Sequence, residues 1–221
     1  MMNASGARGS GMTSERTRAR MIDRLRQQGI ADEQVLAAMS AIPRHFFVDD
    51  GLAHRAYEDD ALPIGFGQTI SSPYIVARML EALRNGRKLG RVLEVGTGCG
   101  YQAAVLTQLA QEVFSIERLA ALLEKVRARI WKLRIHNLRV AHADGYLGLA
   151  EVAPFDGIIV AAAAPAVPPR LKEQLAIDGR LVIPVGVGDK QSLRVITRTA
   201  DGYSEAILES VHFVPLLERL A

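Results

Sequence analysis

Arg91-Val92-Leu93-Glu94-Val95-Gly96-Thr97-Gly98-Cys99-Gly100 is an apolar run that breaks into alternating glycines, and a helix-forming stretch, Tyr101 to Gln111, follows it. Strand, glycine turn and helix in that order open a nucleotide-binding α/β sheet. Glycine lets the backbone turn tightly and approach a ligand with no Cβ in between, and the helix N-terminus beyond it presents unpaired N–H groups. Downstream the alternation repeats: strand Val113 to Glu117, helix Leu119 to Leu133, strands Leu138 to Ala141 and Phe155 to Val160, helix Arg170 to Leu175, strand Arg180 to Val185. Strands alternating with helices predict a Rossmann-like, mostly parallel, doubly wound sheet. Leu193 to Thr199 and Ala206 to Val214, joined through Ala200-Asp201-Gly202, predict an antiparallel hairpin added at its edge.

Upstream, Met21, Ile22 and Leu25 sit at helical spacing in Thr13 to Gln28, with Thr13 or Ser14 as N-cap and Gly29 as stop. Asp32 caps a second short helix to Met39, and Arg44 to Leu62 reads as an irregular covering segment. Pro63-Ile64-Gly65-Phe66-Gly67-Gln68-Thr69-Ile70-Ser71-Ser72-Pro73 reads as a long loop, and loops of that length in compact domains tend to be functional. Ser72 then caps a helix with Pro73 in its first position, running to about Arg84. Met1 to Gly11 carries little to pack and is expected to be disordered or a start-site extension, with Met12 an alternative start. The organisation predicted is one domain over 12–221: N-terminal helices and substrate loop (12–90), cofactor core (91–185) and β addition (186–221).

With 49% hydrophobic residues in 221, the chain can bury one substantial core. A net charge of +3 without a dense basic tract disfavours nucleic acid as the main partner. Cys99 is the only cysteine, which excludes an internal disulfide and a thiolate zinc cluster and fits a reducing cytoplasm. The longest apolar run, Ile158 to Val167, is about half a membrane span. No metal is expected, since His45 and His54 lack partner spacing, and the protein reads as a cytoplasmic monomer away from membranes.

Gly96, Thr97, Gly98 and Gly100 form the candidate cofactor turn. Glu117, about twenty residues on, ends the next strand where a carboxylate can accept from both hydroxyls of a ribose. Glu94 lies inside an apolar strand and needs donors or a positive neighbour; the amino-acid tail of a sulfonium cofactor fits, and so does a loop-anchoring structural role. Asp144-Gly145 follows the third strand of the series at the same sheet edge, where it either receives an adenine amino group or is a plain turn.

Val92 to Ala104 and, far more specifically, Leu62 to Tyr74 closely resemble motifs of the protein-L-isoaspartate (D-aspartate) O-methyltransferases. Pro43-Arg44-His45-Phe46-Phe47-Val48, Phe155 to Val160 and Phe213-Val214-Pro215-Leu216 match as well, so the resemblance covers nearly everything from about Thr13. It implies S-adenosyl-L-methionine as cofactor, isoaspartyl-containing proteins as substrates with their free α-carboxylate as acceptor, and Ser71 as the active-site serine. Thr69 and Ile70 beside that serine are expected to contact substrate, and His212 and Val214 on the last strand either hold the substrate backbone in extended form or simply pack in the sheet. Cys99, Ala161 and Tyr146-Leu147-Gly148-Leu149 depart from the family pattern.

The residues agree with a carboxylate acceptor. A peptide α-carboxylate, with an intrinsic pKa of about 3.5, arrives ionised and needs no general base. The loop after the fourth strand of the series, Ala161-Ala162-Ala163-Ala164-Pro165, carries no catalytic group of the kind that amine or cytosine methylation uses. Ser71 has no His and acid at triad spacing, so it orients the acceptor rather than attacking it. Two other readings remain: a small-molecule or RNA methyltransferase, and a dinucleotide oxidoreductase, which the glycine spacing disfavours.

Overall fold

The computed structural model describes residues 11–221. The disorder expected for Met1 to Gly11 therefore lies outside the described residues except at Gly11, which opens a 3-10 turn, Gly11–Thr13. Two helices follow, α1 (Glu15–Gln27), capped by Ser14, and α2 (Glu33–Ala41), capped by the carboxylate of Asp32. The segment expected to be irregular holds two 3-10 turns, Arg44–Phe47 and Asp50–Arg55.

The expected long loop is instead half hairpin. Strands β1 (Leu62–Gly65) and β2 (Gln68–Ile70) pair antiparallel around Phe66 and Gly67. Both turn residues have positive φ, 54° and 67°, as a two-residue hairpin turn of matching twist requires. Ser72 Oγ accepts from Ile75 N–H at 3.3 Å and starts α3 (Pro73–Arg84), which left-handed Asn85 ends.

Next come β3 (Leu89–Val95), α4 (Tyr101–Leu106), β4 (Ala110–Glu117), α5 (Ala120–Leu133), β5 (Leu138–His142), β6 (Phe155–Val160), α6 (Pro169–Glu173), β7 (Leu175–Val187), β8 (Lys190–Thr199) and β9 (Gly202–Val211). The helix expected to reach Gln111 stops at Leu106. There Thr107 turns its hydroxyl back onto the Ala104 carbonyl, and Asn137 takes up the Thr107 and Ala110 carbonyls at 3.0 and 3.2 Å. Strand β4 consequently starts three residues earlier than Val113. Likewise α6 ends at Glu173 because Leu175 is already the first residue of β7, and the last strand ends at Val211 rather than Val214.

The seven strands lie in the order β5-β4-β3-β6-β7-β8-β9, parallel from β5 to β7 and antiparallel from β7 to β9. Successive side chains of a strand point to opposite faces, so a sheet covered on both sides needs apolar residues on both. Val92, Ile159 and Val182 join a cluster with the helices that include Met21, Leu36 and Leu80, while Leu93, Ile158 and Leu181 join a second around Phe114 and Leu171. The chain reverses its order across the sheet between β3 and β6, and a crevice opens there at the strands' C-terminal ends, where ligands of such sheets bind.

Candidate active site

The glycine turn sits at that crevice. Gly96 N–H and Thr97 N–H both donate to the Ile116 carbonyl, at 2.8 and 3.2 Å, tying the turn to the end of β4. Gly96 has φ of +91°, which an L residue with a side chain adopts only under strain. Glu117 clamps the turn from the other side: Gly98 N–H donates to its Oε2 at 2.9 Å and Leu119 N–H to its Oε1 at 3.0 Å. Two backbone donors hold this carboxylate in one orientation at the rim, with lone pairs left over for a diol.

Glu94 lies fully buried on β3, between Ser115 of β4 and Ile159 of β6. Ser115 Oγ donates to its Oε2, and Thr97 Oγ1 lies 2.6 Å from Ser115 Oγ, so strand, neighbour and turn form one hydroxyl chain. Among the described residues its Oε1 has no hydrogen-bond partner. Burial pushes the carboxyl up to about 8, against smaller downward pulls from Ser115 and the nearby Gln102 amide. An uncompensated acid at the floor of a crevice is what a ligand ammonium group would satisfy.

The acceptor side is built by the hairpin. Ser71 follows β2 directly, and among the described residues its Oγ makes no hydrogen bond; the capping of α3 falls to Ser72. Behind it, Arg44 Nη2 donates to the Ser71 carbonyl at 2.6 Å. Opposite, Ala163 N–H donates to the Val214 carbonyl at 2.8 Å and Leu216 N–H to the Ala163 carbonyl at 2.7 Å, locking the alanine loop to the C-terminal segment.

Thr69, Ile70, Ser71, Glu94, Gly96, Thr97, Gly98, Glu117, Gly145 and Val214 line a single crevice. Gly145 is needed by close approach, since a Cβ there would stand 2.6 Å from Val95 Cγ1. Three residues expected at the site stand apart from its lining. Gly100 caps α4 and faces Val126. Asp144 spends both oxygens on the chain itself, Oδ1 on Tyr146 N–H at 2.9 Å and Oδ2 on Arg219 N–H at 2.8 Å. His212 lies just past β9, exposed, with Nδ1 3.7 Å from Asp189. Sequence reasoning missed Tyr101, Gln102 and Pro215 to Leu217, which also line the crevice, and buried Arg44 beneath Ser71. Their only signal was membership of family-like runs: Val92 to Ala104 for Tyr101 and Gln102, Pro43 to Val48 for Arg44, and Phe213 to Leu216 for Pro215 and Leu216.

The sheet order, the glycine turn after β3 and the acid closing β4 define a Rossmann-like methyltransferase. The sequence model of protein-L-isoaspartate(D-aspartate) O-methyltransferase matches residues 16–221. The chain belongs to that family. It is 62% identical over 210 residues to a protein-L-isoaspartate O-methyltransferase of Dechloromonas aromatica, covering 95% of this chain and 97% of the relative. It is 58% identical over 220 residues to that of Methylobacillus flagellatus, covering 98% of each. Among solved structures it resembles a Plasmodium falciparum chain named as a protein-L-isoaspartate O-methyltransferase in complex with S-adenosyl-L-homocysteine. That match has a TM-score of 0.79 and 28% identity, over 90% of this chain and 97% of the other.

Proposed function

We propose that this protein moves a methyl group from S-adenosyl-L-methionine to the free α-carboxylate of L-isoaspartyl residues in damaged proteins, giving an ester that collapses to a succinimide. The observation that carries this is that Ser71, whose hydroxyl is unengaged among the described residues, lines a crevice to which the alanine loop contributes only Ala161 and Ala162, neither an acid nor a base. An acceptor that arrives ionised is the one such a site can serve.

When bound, the cofactor supplies an electrophilic methyl on sulfur. Glu117 accepts from its ribose hydroxyls, Glu94 faces its ammonium group, and Gly96, Thr97 and Gly98 let the backbone approach it. The residues present fit: the orphaned Glu94 Oε1 meets the need of a cation, and Glu117 stands pre-oriented. Ser71 Oγ donates to the acceptor carboxylate and aims one oxygen, while Thr69, Ile70 and Val214 position the peptide around it. Catalysis then comes from placement and exclusion of water rather than proton transfer. Asp144 and Gly145 close the adenine end in this reading, and His212 contacts extended substrate from outside the crevice. The same reading places the protein in the cytoplasm, which buried, unpaired Cys99 supports, and takes it as a single-domain monomer. Among the described residues no helix is long and apolar enough to cross a membrane.

The acceptor class has a direct chemical test. Methyl label placed on an isoaspartyl peptide should leave as volatile methanol in mild alkali, as an ester does. Label that survives alkali, as on an amine or an RNA base, contradicts a carboxylate acceptor.

A further inference from the structure

Arg44 is wholly buried, and among the described residues none of its guanidinium nitrogens meets a carboxylate. The other buried arginine–acid geometry shows the contrast, Arg84 being paired with Asp32 at 2.7 Å. Arg44 instead donates from Nε to the Ala56 carbonyl at 2.8 Å and from Nη2 to the Ser71 carbonyl at 2.6 Å, and among the described residues its Nη1 has no partner. Its guanidinium carbon lies 5.0 Å from the centroid of the Tyr101 ring. Tyr101 is the first residue of α4, directly after the glycine turn, and Phe47 braces it edge-on at 5.5 Å. Asp59, which acts on Arg44 only through its field, is committed to Tyr74 N–H and Gln28.

Burying a cation without an anion is unfavourable, and an apolar side chain of similar volume would avoid that penalty. Stability therefore does not explain the residue, whereas its contacts do. One planar fork touches the residue that aims the acceptor and the residue that follows the cofactor turn, two parts of the site that come from distant segments of sequence.

We infer that Arg44 is a positioning residue: it fixes Ser71 at a set distance from the cofactor turn and places an uncompensated positive charge behind the serine that receives an anionic acceptor. The inference rests on the carboxyl-methyltransferase reading above. In-line transfer tolerates little misplacement, with about 100-fold lost for a displacement near 1 Å, so loosening this bridge should fall mainly on kcat. Loss of the charge should fall mainly on the KM of the acceptor.

The test compares Arg44→Met and Arg44→Lys with wild type, using an isoaspartyl peptide for kcat and KM and calorimetric binding of S-adenosyl-L-homocysteine for the cofactor half. For Arg44→Met we expect kcat about 100-fold lower, KM about tenfold higher and cofactor-product affinity within about threefold of wild type. Arg44→Lys keeps the charge and loses the fork, so it should recover most of KM and little of kcat. Wild-type kcat and KM in Arg44→Met, or product affinity falling in step with kcat/KM, overturns the inference. Should Arg44→Met not fold, Tyr101→Leu leaves both carbonyl bonds of Arg44 and removes its ring contact at the crevice lining: lower kcat with KM and product affinity unchanged supports the bridge, and unchanged kcat, or product affinity falling in step with kcat, overturns it. A wild type that labels no isoaspartyl peptide defeats the functional reading instead, whatever the variants do.

Discussion

Glu117→Ala should weaken binding of S-adenosyl-L-homocysteine by about 100-fold or more, since two charge-assisted hydrogen bonds are worth about 1.5–3 kcal/mol each. The geometry makes this residue decisive. Gly98 N–H and Leu119 N–H each hold one carboxylate oxygen, so the side chain enters the complex already ordered and loses little freedom on meeting a ribose. The same substitution unlatches the Gly98 turn, which adds to the loss. Glu117→Gln should fall between, because its amide would set an N–H against a backbone donor. Calorimetric titration checks this, and an affinity within about threefold of wild type would remove the ribose role from Glu117.

The second large effect is a pH dependence seated at Glu94. Its carboxyl, ordinarily near 4.5, is pushed up to about 8 by complete burial. Between those values the empty folded protein keeps a proton that the unfolded chain releases, so folding stability contributed here is fully present below about 4.5 and is lost as pH rises through about 8. The slope approaches about 1.4 kcal/mol per pH unit within that window. Thermal unfolding of the ligand-free protein should therefore show Tm falling from mildly acidic to mildly alkaline pH more steeply for wild type than for Glu94→Gln. S-Adenosyl-L-homocysteine, whose ammonium group favours the ionised carboxylate, should flatten the wild-type slope. Equal slopes for wild type and Glu94→Gln would show that Glu94 is already ionised in the empty site.

What the sequence disclosed was what local chemistry dictates. The glycine turn, Glu117 at the end of the next strand and the Ser72-Pro73 helix start all follow from neighbouring residues, and each lies where its own pattern puts it. What it hid was set by contacts between distant segments. Tyr101 to Gln111 reads as continuous helix, yet Asn137, thirty residues beyond Thr107, captures the carbonyl at which the helix ends. The hairpin within Leu62 to Ile70 was masked because Phe66, a poor residue for positive φ, occupies its turn. Asp144 stands just beyond β5 as its place in sequence suggests, but nothing in the sequence shows that Arg219 N–H comes back from the far end of the described residues to hold one of its oxygens. Arg44 beneath Ser71 is likewise a through-space relation, invisible to spacing.

The central claim is that the crevice methylates an ionised isoaspartyl carboxylate and rejects the ordinary aspartyl linkage. The measurement that tests it most directly is methyl incorporation from labelled S-adenosyl-L-methionine into two peptides of identical composition, one with an L-isoaspartyl residue and its twin with L-aspartyl at the same position. Label should enter the isoaspartyl peptide alone; equal labelling of both peptides, or of neither, contradicts the account.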